Sequence, residues 1–254
     1  MIFDSHAHYN DRAFDSDRDE VLSSMNKNNV KYIMNACSSL HEMEDILSLC
    51  SKYSWIYGAV GIHPESACDC NSDTETAIKK YAQYEKIKAI GEIGLDYYWD
   101  TAPREVQREC FDFQLSLADE LDMPVIIHDR EAHKDSLDIV SSHKGIEGVF
   151  HCFSGSREMA REVLDRGLFI ALGGSLTFKN NIKTVEVAKY VPLDRLLIET
   201  DCPYLTPVPY RGKRNSSVYL PYVIQKIAEI KGISTDEVEN ATFENAKRLF
   251  RIGE

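Results

Sequence analysis

Histidines and carboxylates lie at or just beyond the ends of several β-rich segments of the sequence. Six of them are candidate metal ligands, because neutral imidazole and carboxylate together suit divalent transition-metal ions better than Ca²⁺. They are His6, His8, Glu92, His128, His151 and Asp201. These side chains predict a metal centre, with Zn, Mn, Mg, Fe and Co as the candidate metals.

The number and types of these ligands indicate two metal ions and a hydrolytic reaction. One ion can be held by the first two histidines together with Glu92 and Asp201. His128 and His151 then require a second ion, and Glu92 is the obvious bridge. Paired ions about 3.5–4 Å apart suit in-line displacement at phosphorus and lower the pKa of bound water towards neutrality. Asp201 would orient that water and take its proton, so that Asp201 and Glu92 are the predicted catalytic residues.

A purely structural explanation treats the same side chains as hydrogen-bonded polar residues. One histidine at a strand end is usually of that kind, but five histidines and two acids at strand ends favour a metal centre. Glu199 shares the predicted inward face of Asp201. It either orients a ligand from below or forms a buried ion pair.

Short β-rich segments alternate with longer amphipathic ones along the chain. The predicted strands are Ile2–His6, Lys31–Ala36, Trp55–Ile62, Ala89–Ile93, Pro124–His128, Gly148–His151, Leu168–Leu172 and Arg195–Thr200. Eight parallel strands alternating with helices in about 250 residues close into a barrel. We therefore predict an α/β fold, a single (β/α)8 TIM barrel over residues 1–254. A doubly wound open sheet is the alternative, but His6-Ala7-His8 stands where its Gly-rich turn would be.

Helical periodicity supports this arrangement. A helix is predicted over Arg104–Glu120, and Val218–Ala228 supplies the eighth helix of the barrel. Ser234–Phe250 is predicted as an added C-terminal helix, in which Ser234 is the N-cap and Glu237 completes a capping box.

The barrel explains how distant residues form one site. Strand side chains alternate, so His6 and His8 point the same way, and Ile2 and Asp4 are expected on that inward face. The C-terminal ends of barrel strands converge on the face where active sites lie. The candidate ligands are therefore expected to meet there.

Composition restricts the partners of the protein. The chain has 254 residues and a formal net charge of −12, which argues against a protein that coats long duplexes. A polyanionic substrate would have to be held by metal ions and a local basic patch. No signal peptide and no apolar run of ~20 residues are found, and seven scattered cysteines are typical of a reduced cytoplasm. We expect a cytoplasmic protein without membrane contact or an obligate protein partner.

The segment after the eighth predicted strand carries three cations close together, Arg211, Lys213 and Arg214. Loops after strands seven and eight often bind phosphate in this fold, so these residues are predicted to bind substrate. A solvated charge run is the alternative. The aromatic run 97–99 either stacks a base or packs the rim of the barrel.

Taken in order, these residues resemble the TatD family of metal-dependent deoxyribonucleases, within the amidohydrolase-like metal barrels. The resemblance runs nearly end to end and rests on a set of short motifs. They are Asp4-Ser5-His6-Ala7-His8, Gly61-Ile62-His63-Pro64, Gly91-Glu92-Ile93-Gly94-Leu95-Asp96, Pro124-Val125-Ile126-Ile127-His128, His151-Cys152-Phe153-Ser154-Gly155, Leu197-Ile198-Glu199-Thr200-Asp201-Cys202-Pro203-Tyr204-Leu205 and Arg214-Asn215.

The resemblance implies that His6, His8, Glu92 and Asp201 hold one metal and that Glu92 shares the other with the remaining two histidines. It also implies that His63 contacts a substrate phosphate. Family members remove nucleotides from DNA ends in the cytoplasm, so a single strand or strand end of DNA is the expected substrate.

The chain departs from the family pattern at one point. The family usually continues Arg-Asn with Glu-Pro, whereas this chain has Ser216-Ser217, which leaves the substrate contacts of that loop open. Two other functions compete with a nuclease. One is a small-molecule amidohydrolase or esterase on the same bimetal barrel, and the other is a binding protein without catalysis.

Overall fold

Eight parallel strands form the centre of the structure, a computed structural model that describes residues 1–253. Each strand pairs with its neighbour in the sequence. They are β1 (Ile2–Ala7), β2 (Val30–Ala36), β3 (Ile56–Val60), β4 (Ile87–Asp96), β5 (Val125–Arg130), β6 (Gly148–Phe150), β7 (Phe169–Leu172) and β8 (Leu196–Ile198). This order is that of a (β/α)8 barrel, and it excludes the doubly wound alternative.

Nine α-helices accompany the strands within residues 1–253. They are α1 (Arg18–Ser23), α2 (Met43–Lys52), α3 (Ser72–Tyr81), α4 (Arg104–Glu120), α5 (His133–Ser142), α6 (Arg157–Asp165), α7 (Ile182–Tyr190), α8 (Leu220–Lys231) and α9 (Thr235–Leu249). The predicted bounds of α4 are confirmed. So is the capping box of α9, in which Ser234 accepts from the amide of Glu237 and the Glu237 carboxylate accepts from the amide of Ser234. None of these helices is both long and apolar enough to cross a membrane.

The barrel closes between the first strand and the segment that follows the last. The amide of Asp201 donates to the carbonyl of His6 at 3.0 Å, and the amide of His8 donates to the carbonyl of Cys202 at 2.9 Å. The closing hydrogen bonds therefore place Asp201 beside His6 of the first strand and His8, which directly follows it.

Every strand contributes to an apolar cluster inside the barrel. Its strand residues include Phe3, Met34, Ala59, Ala89, Ile126, Val149, Phe169 and Leu197. Phe243 and Phe250, from α9 and its C-cap, join the same cluster and pack against Phe3. Because Phe3 lies at the start of β1, α9 closes the end of the barrel where the strands begin, and the opposite end stays open for polar side chains.

A one-residue bulge changes which side chains of β1 point inwards. Asp4 pairs with Ile33 and Ala7 with Asn35, so β1 advances three residues while β2 advances two. Phe3 therefore lies in the inner cluster, whereas Ile2 and Ala7 lie in the outer cluster with the helices. The prediction that Ile2 shares the inward face is wrong, because strict alternation does not hold across a bulge.

A second bulge acts in the same way in β4. Ile90 pairs with Val125 and Ile93 with Ile127, so one extra residue is accommodated between them. Ala89 points into the barrel, yet Ile93 packs with the outer cluster, which leaves Glu92 on the inner side. The strand also continues three residues beyond its predicted end at Ile93.

The eighth strand is shorter than predicted. It ends at Ile198 rather than Thr200, and Asp201 has a positive φ of 55°. The amide and hydroxyl of Thr200 both donate to the buried carboxylate of Asp4, at 2.9 and 2.6 Å. These contacts turn the chain away from the sheet, so a turn rather than strand alternation directs the side chain of Asp201.

Candidate metal centre

Seven side chains converge at the open end of the barrel. They are His6, His8, His63, Glu92, His128, His151 and Asp201, and their ligand atoms fall into three overlapping groups. All six predicted ligands are therefore brought together, with His63 as a seventh member.

The first donor group joins β1 to the turn after β8. Nε2 of His6 lies 3.0 Å from Nε2 of His8, and Oδ1 of Asp201 lies 3.4 Å from the latter atom. Oε2 of Glu92 lies 3.3 Å and 3.5 Å from the two nitrogens. Two nitrogens and two oxygens thus surround one point.

The second donor group lies on the other side of Glu92. Oε1 of Glu92 is 2.8 Å from Nδ1 of His128 and 2.7 Å from Nε2 of His151. These two nitrogens are 3.2 Å apart, and Nε2 of His63 lies 3.5 Å from the same oxygen. Each carboxylate oxygen of Glu92 therefore faces a different donor group.

Electrostatics keeps the central carboxylate charged. Glu92 is 3% exposed, and burial alone would raise its pKa. The nearby imidazoles, foremost His151, outweigh that effect and hold the pKa of Glu92 well below its usual range. The ionised form is the one that ligates metals.

Contacts on the far side of the rings direct the ligand nitrogens into the centre. Nδ1 of His8 lies 3.0 Å from the carbonyl of Ala36, and Nε2 of His128 lies 3.0 Å from Oδ2 of Asp96. A carbonyl can only accept, so the proton of neutral His8 sits on Nδ1 and its Nε2 lone pair faces the centre. A protein carbonyl or carboxylate behind the ring is typical of metal-bound histidine.

The donor chemistry fits divalent metal ions. The Nε2 atoms of His6 and His8 face each other, and a cation between them would be bound by both lone pairs. Neutral imidazole with carboxylate suits Zn²⁺ and its neighbours in the first transition series. In the part of the chain that the structure describes, the three buried side-chain atoms without a hydrogen-bond partner all lie here, on His6, His151 and Glu199.

Glu199 lies beneath the centre and is fully buried. Its Oε1 accepts from the amide of Cys152 at 2.6 Å and lies 3.6 Å from Nδ1 of His151. This separation exceeds a hydrogen bond but lies within ion-pair range, so both predicted roles of Glu199, orienting a ligand from below and forming a buried ion pair, stay predictions.

Sequence reasoning assigned no role to Asp96, although the signal was present. Asp96 lies four residues after Glu92 on the same strand, so the two side chains share a face. Asp96 is 1% exposed and backs His128. Gly94, between them, permits the close approach of β4 and β5, because a Cβ there would lie 2.0 Å from the carbonyl oxygen of His128.

A second unassigned network supports the turn that carries Asp201. Oδ2 of Asp4 accepts from the hydroxyl of Ser217 at 2.6 Å, in addition to its contacts with Thr200. The Ser217 hydroxyl also lies 2.8 Å from the hydroxyl of Tyr9. Ser217, which departs from the family pattern, thus connects the loop after β8 to β1.

The three predicted phosphate-binding cations differ in their surroundings. The guanidinium of Arg214 donates to both carboxylate oxygens of Asp17, at 2.8 and 2.6 Å. Arg211 lies over the ring of Phe178 at 3.7 Å, and Lys213 lies 5.2 Å from the ring of Tyr210. Neither of these two forms an ion pair within residues 1–253.

Comparison with known proteins identifies the family of this chain. A family model described as TatD related DNase matches residues 3–251. The chain belongs to the TatD family. The resemblance seen in the sequence motifs is therefore confirmed, over nearly the whole chain.

Two relatives show how similar proteins are described. YabD of Bacillus subtilis strain 168, called an uncharacterized metal-dependent hydrolase, is 43% identical over 254 residues, which cover 99% of this chain and 100% of YabD. A protein of Citrobacter rodentium strain ICC168, called 3'-5' ssDNA/RNA exonuclease TatD, is 33% identical over 258 residues, covering 99% and 98% of the two chains.

A solved TatD structure supports the fold. The TatD homologue YJJV of Escherichia coli K12 superposes with a TM-score of 0.93 at 29% identity, covering 99% of this chain and 98% of the other. The predicted TIM barrel is confirmed, and the protein is a metal-dependent hydrolase of the TatD family.

Proposed function

We propose that the protein is a nuclease that removes nucleotides from DNA strand ends by hydrolysing phosphodiester bonds at a centre of two divalent ions. The observation that carries the proposal is the position of Glu92, whose two oxygens face two separate donor groups. Paired ions bridged by one carboxylate suit displacement at phosphorus. The exonuclease name of the Citrobacter rodentium relative supports the same substrate class.

The metal ions and Asp201 would have different roles in the reaction. Divalent ions bound in the two donor groups would polarise the phosphodiester and lower the pKa of water. Burial alone would raise the pKa of Asp201, but His8 and His6 lower it, so that Asp201 is ionised and can accept a proton. Its side chain is 18% exposed, which leaves it within reach of water.

His63 would contact a substrate phosphate. Its Nδ1 accepts from the amide of Glu65 at 3.2 Å, so the proton of the neutral ring sits on Nε2, which faces the centre. Burial lowers the pKa of His63 to about 3, so the ring is a neutral donor.

The loop after β8 would hold further phosphates. Arg211 and Lys213 contact aromatic rings and keep their charges unpaired, so both remain proposed phosphate ligands. Arg214 is engaged by Asp17, so we assign it the different role of anchoring this loop to the segment before α1. The chain has a net charge of −12, and few of its cations would contact phosphates. We therefore expect a small footprint, in which the protein covers only a short stretch at a strand end.

An activity comparison with end-labelled oligonucleotides tests the proposal. Metal-supplemented enzyme is incubated with single-stranded DNA labelled at either end, and separately with p-nitrophenyl phosphodiesters, lactones and cyclic amides. We expect stepwise shortening of DNA and turnover of phosphodiesters. Turnover of lactones or cyclic amides alone would assign the small-molecule amidohydrolase or esterase function, and metal content near zero would leave a binding protein.

Salt dependence tests the size of the footprint. With Z cationic contacts, the slope of log affinity against log salt is about −0.7Z for single strands, so two or three contacts give about −2 at most. A much steeper slope would contradict a footprint confined to the strand end.

A further inference from the structure

Two exposed aromatic side chains lie between β4 and α4, directly after the strand that carries Glu92. Tyr98 is 51% and Trp99 58% exposed, and their rings meet edge to face at 5.1 Å. Their neighbour Tyr97 instead packs inwards, with its hydroxyl on Asp135. Tyr97 therefore packs the rim of the barrel, whereas the rings of Tyr98 and Trp99 are exposed to solvent.

The backbone under this pair is held rigidly. Oδ1 of Asp96 accepts from the amides of Tyr98 and Trp99, both at 2.9 Å. Gln107 of α4 binds both the amide and the carbonyl of Asp96 and also reaches the carbonyl of Ala102. An exposed pair on a fixed backbone loses little conformational entropy when a ligand binds.

The same carboxylate connects the pair to the metal centre. While Oδ1 of Asp96 holds the two amides, Oδ2 lies 3.0 Å from Nε2 of the candidate ligand His128. One carboxylate therefore contacts both the backbone that carries Tyr98 and Trp99 and a residue that would hold the proposed second metal ion.

A cation without an acidic partner completes the arrangement. Arg130, two residues after His128, has its guanidinium carbon 4.0 Å from the ring centre of Tyr98 and 5.6 Å from that of Trp99. Within residues 1–253 its side chain forms no ion pair and donates no hydrogen bond. Its donors can therefore bind a phosphate while its plane supports the aromatic rings.

We propose that Tyr98, Trp99 and Arg130 form a nucleotide subsite beside the metal centre, in which a base stacks on one ring of the aromatic pair and an adjoining phosphate binds Arg130. The proposal rests on the proposed function for its ligand, a nucleic acid. Stacking accepts every base, but a base inside a duplex has both faces covered by its neighbours. The subsite therefore selects single strands with little sequence preference.

Tryptophan fluorescence gives a direct test that needs no turnover. The chain has two tryptophans, so Trp55→Phe leaves Trp99 as the sole reporter. This variant is titrated with a single-stranded phosphorothioate oligonucleotide and with a matched abasic strand. We expect quenching by the first and little by the second. Absence of quenching by the base-containing strand would overturn the proposal, whatever the enzyme cleaves.

Kinetics gives a second test on the variants Trp99→Ala, Tyr98→Ala and Arg130→Gln. Loss of one aromatic ring should raise KM for a single-stranded oligonucleotide about 5- to 150-fold, and far more than KM for bis-p-nitrophenyl phosphate, which has no nucleobase. Arg130→Gln should raise the same KM because it removes the proposed phosphate contact. For the two aromatic variants the rise should disappear on a strand that is abasic at the stacked position. An equal rise on both substrates, or none, would contradict the subsite.

The matched control is Tyr84→Ala. Tyr84 is 43% exposed but precedes β4, at the end of the barrel away from the metal centre, so this variant should behave as wild type. The two proposals can be refuted independently. Quenching without cleavage of any strand would contradict the nuclease function but support the subsite. Cleavage without quenching would support the nuclease function but contradict the subsite.

Discussion

Asp96 lies 3.0 Å from His128, with Oδ2 on the ring nitrogen that points away from Glu92. The contact fixes the ring so that Nδ1 faces the carboxylate of Glu92. A carboxylate in this position also increases the basicity of the ligating nitrogen.

Asp96→Asn should weaken the second metal ion. Removal of the charge behind His128 should lower affinity for that ion about 10- to 100-fold and leave the first ion bound. Calorimetric titration of metal-free protein with Zn²⁺ measures both steps. Asp129→Asn is the matched control, because Asp129 contacts His133 in a similar pair outside the donor groups. Equal affinities in wild type and Asp96→Asn would contradict this role.

Glu92→Ala should remove both metal ions. Within residues 1–253, Glu92 is the only carboxylate whose oxygens face both donor groups, so its loss disrupts each of them. His128→Ala should mainly remove one ion, because the first group keeps all its donors. Metal content after supplementation, measured by elemental analysis, distinguishes the two outcomes. Full metal content in Glu92→Ala would refute the bridge.

Asp201→Asn should separate catalysis from folding. The variant keeps the size of the side chain and one oxygen donor but removes the charge that accepts a proton. Turnover should fall at least about 10²-fold, while circular dichroism stays as in wild type. A wild-type rate at normal metal content would show that Asp201 is not the general base.

Ser217→Ala should destabilise the turn that carries Asp201. The substitution removes a 2.6 Å hydrogen bond to the fully buried carboxylate of Asp4, which should lower the free energy of unfolding by about 1–3 kcal/mol. Ser216→Ala is the control, because that hydroxyl contacts only Tyr9, at 3.2 Å. Urea unfolding measures the free energy of unfolding of both variants. Equal decreases in the two variants would contradict a specific role for Ser217.

Metal binding should release protons at neutral pH. Burial lowers the pKa of His8, but Asp201 and Glu92 outweigh it and raise the pKa to about 9. In the same way Asp96 and Glu92 raise the pKa of His128 to about 8 against the effect of burial. Both rings are therefore protonated in metal-free protein below these values, and ligation requires the neutral forms.

The sign of the pH dependence follows from these raised values. Apparent metal affinity should increase as pH rises through about 8 and about 9, the values of His128 and His8. Against burial, Glu92 and Glu199 also hold the pKa of His151 well above its usual range, so the increase continues as that ring loses its proton. Calorimetry in buffers of different ionisation enthalpy should detect more proton release at about pH 7 than at about pH 10. Affinity that is independent of pH across this range would contradict the shifts.

The sequence by itself determined the kind of fold and the chemical identity of the centre. Alternation of strands and helices is a local pattern, and parallel strands of a barrel must bring their C-terminal ends together. Placing His128 and His151 in one centre therefore required only strand order and side-chain alternation, which hold in β5 and directly after β6.

Tertiary structure decided how the other ligands reach the same point. Bulges in β1 and β4 direct His6 and Glu92 inwards, and a bulge depends on pairing with a neighbouring strand, which no local pattern records. Asp201 is directed by a turn that Asp4 holds, across nearly the whole length of the chain. The ion pair between Arg214 and Asp17 also depends on tertiary structure, because the two residues meet only when the barrel has closed.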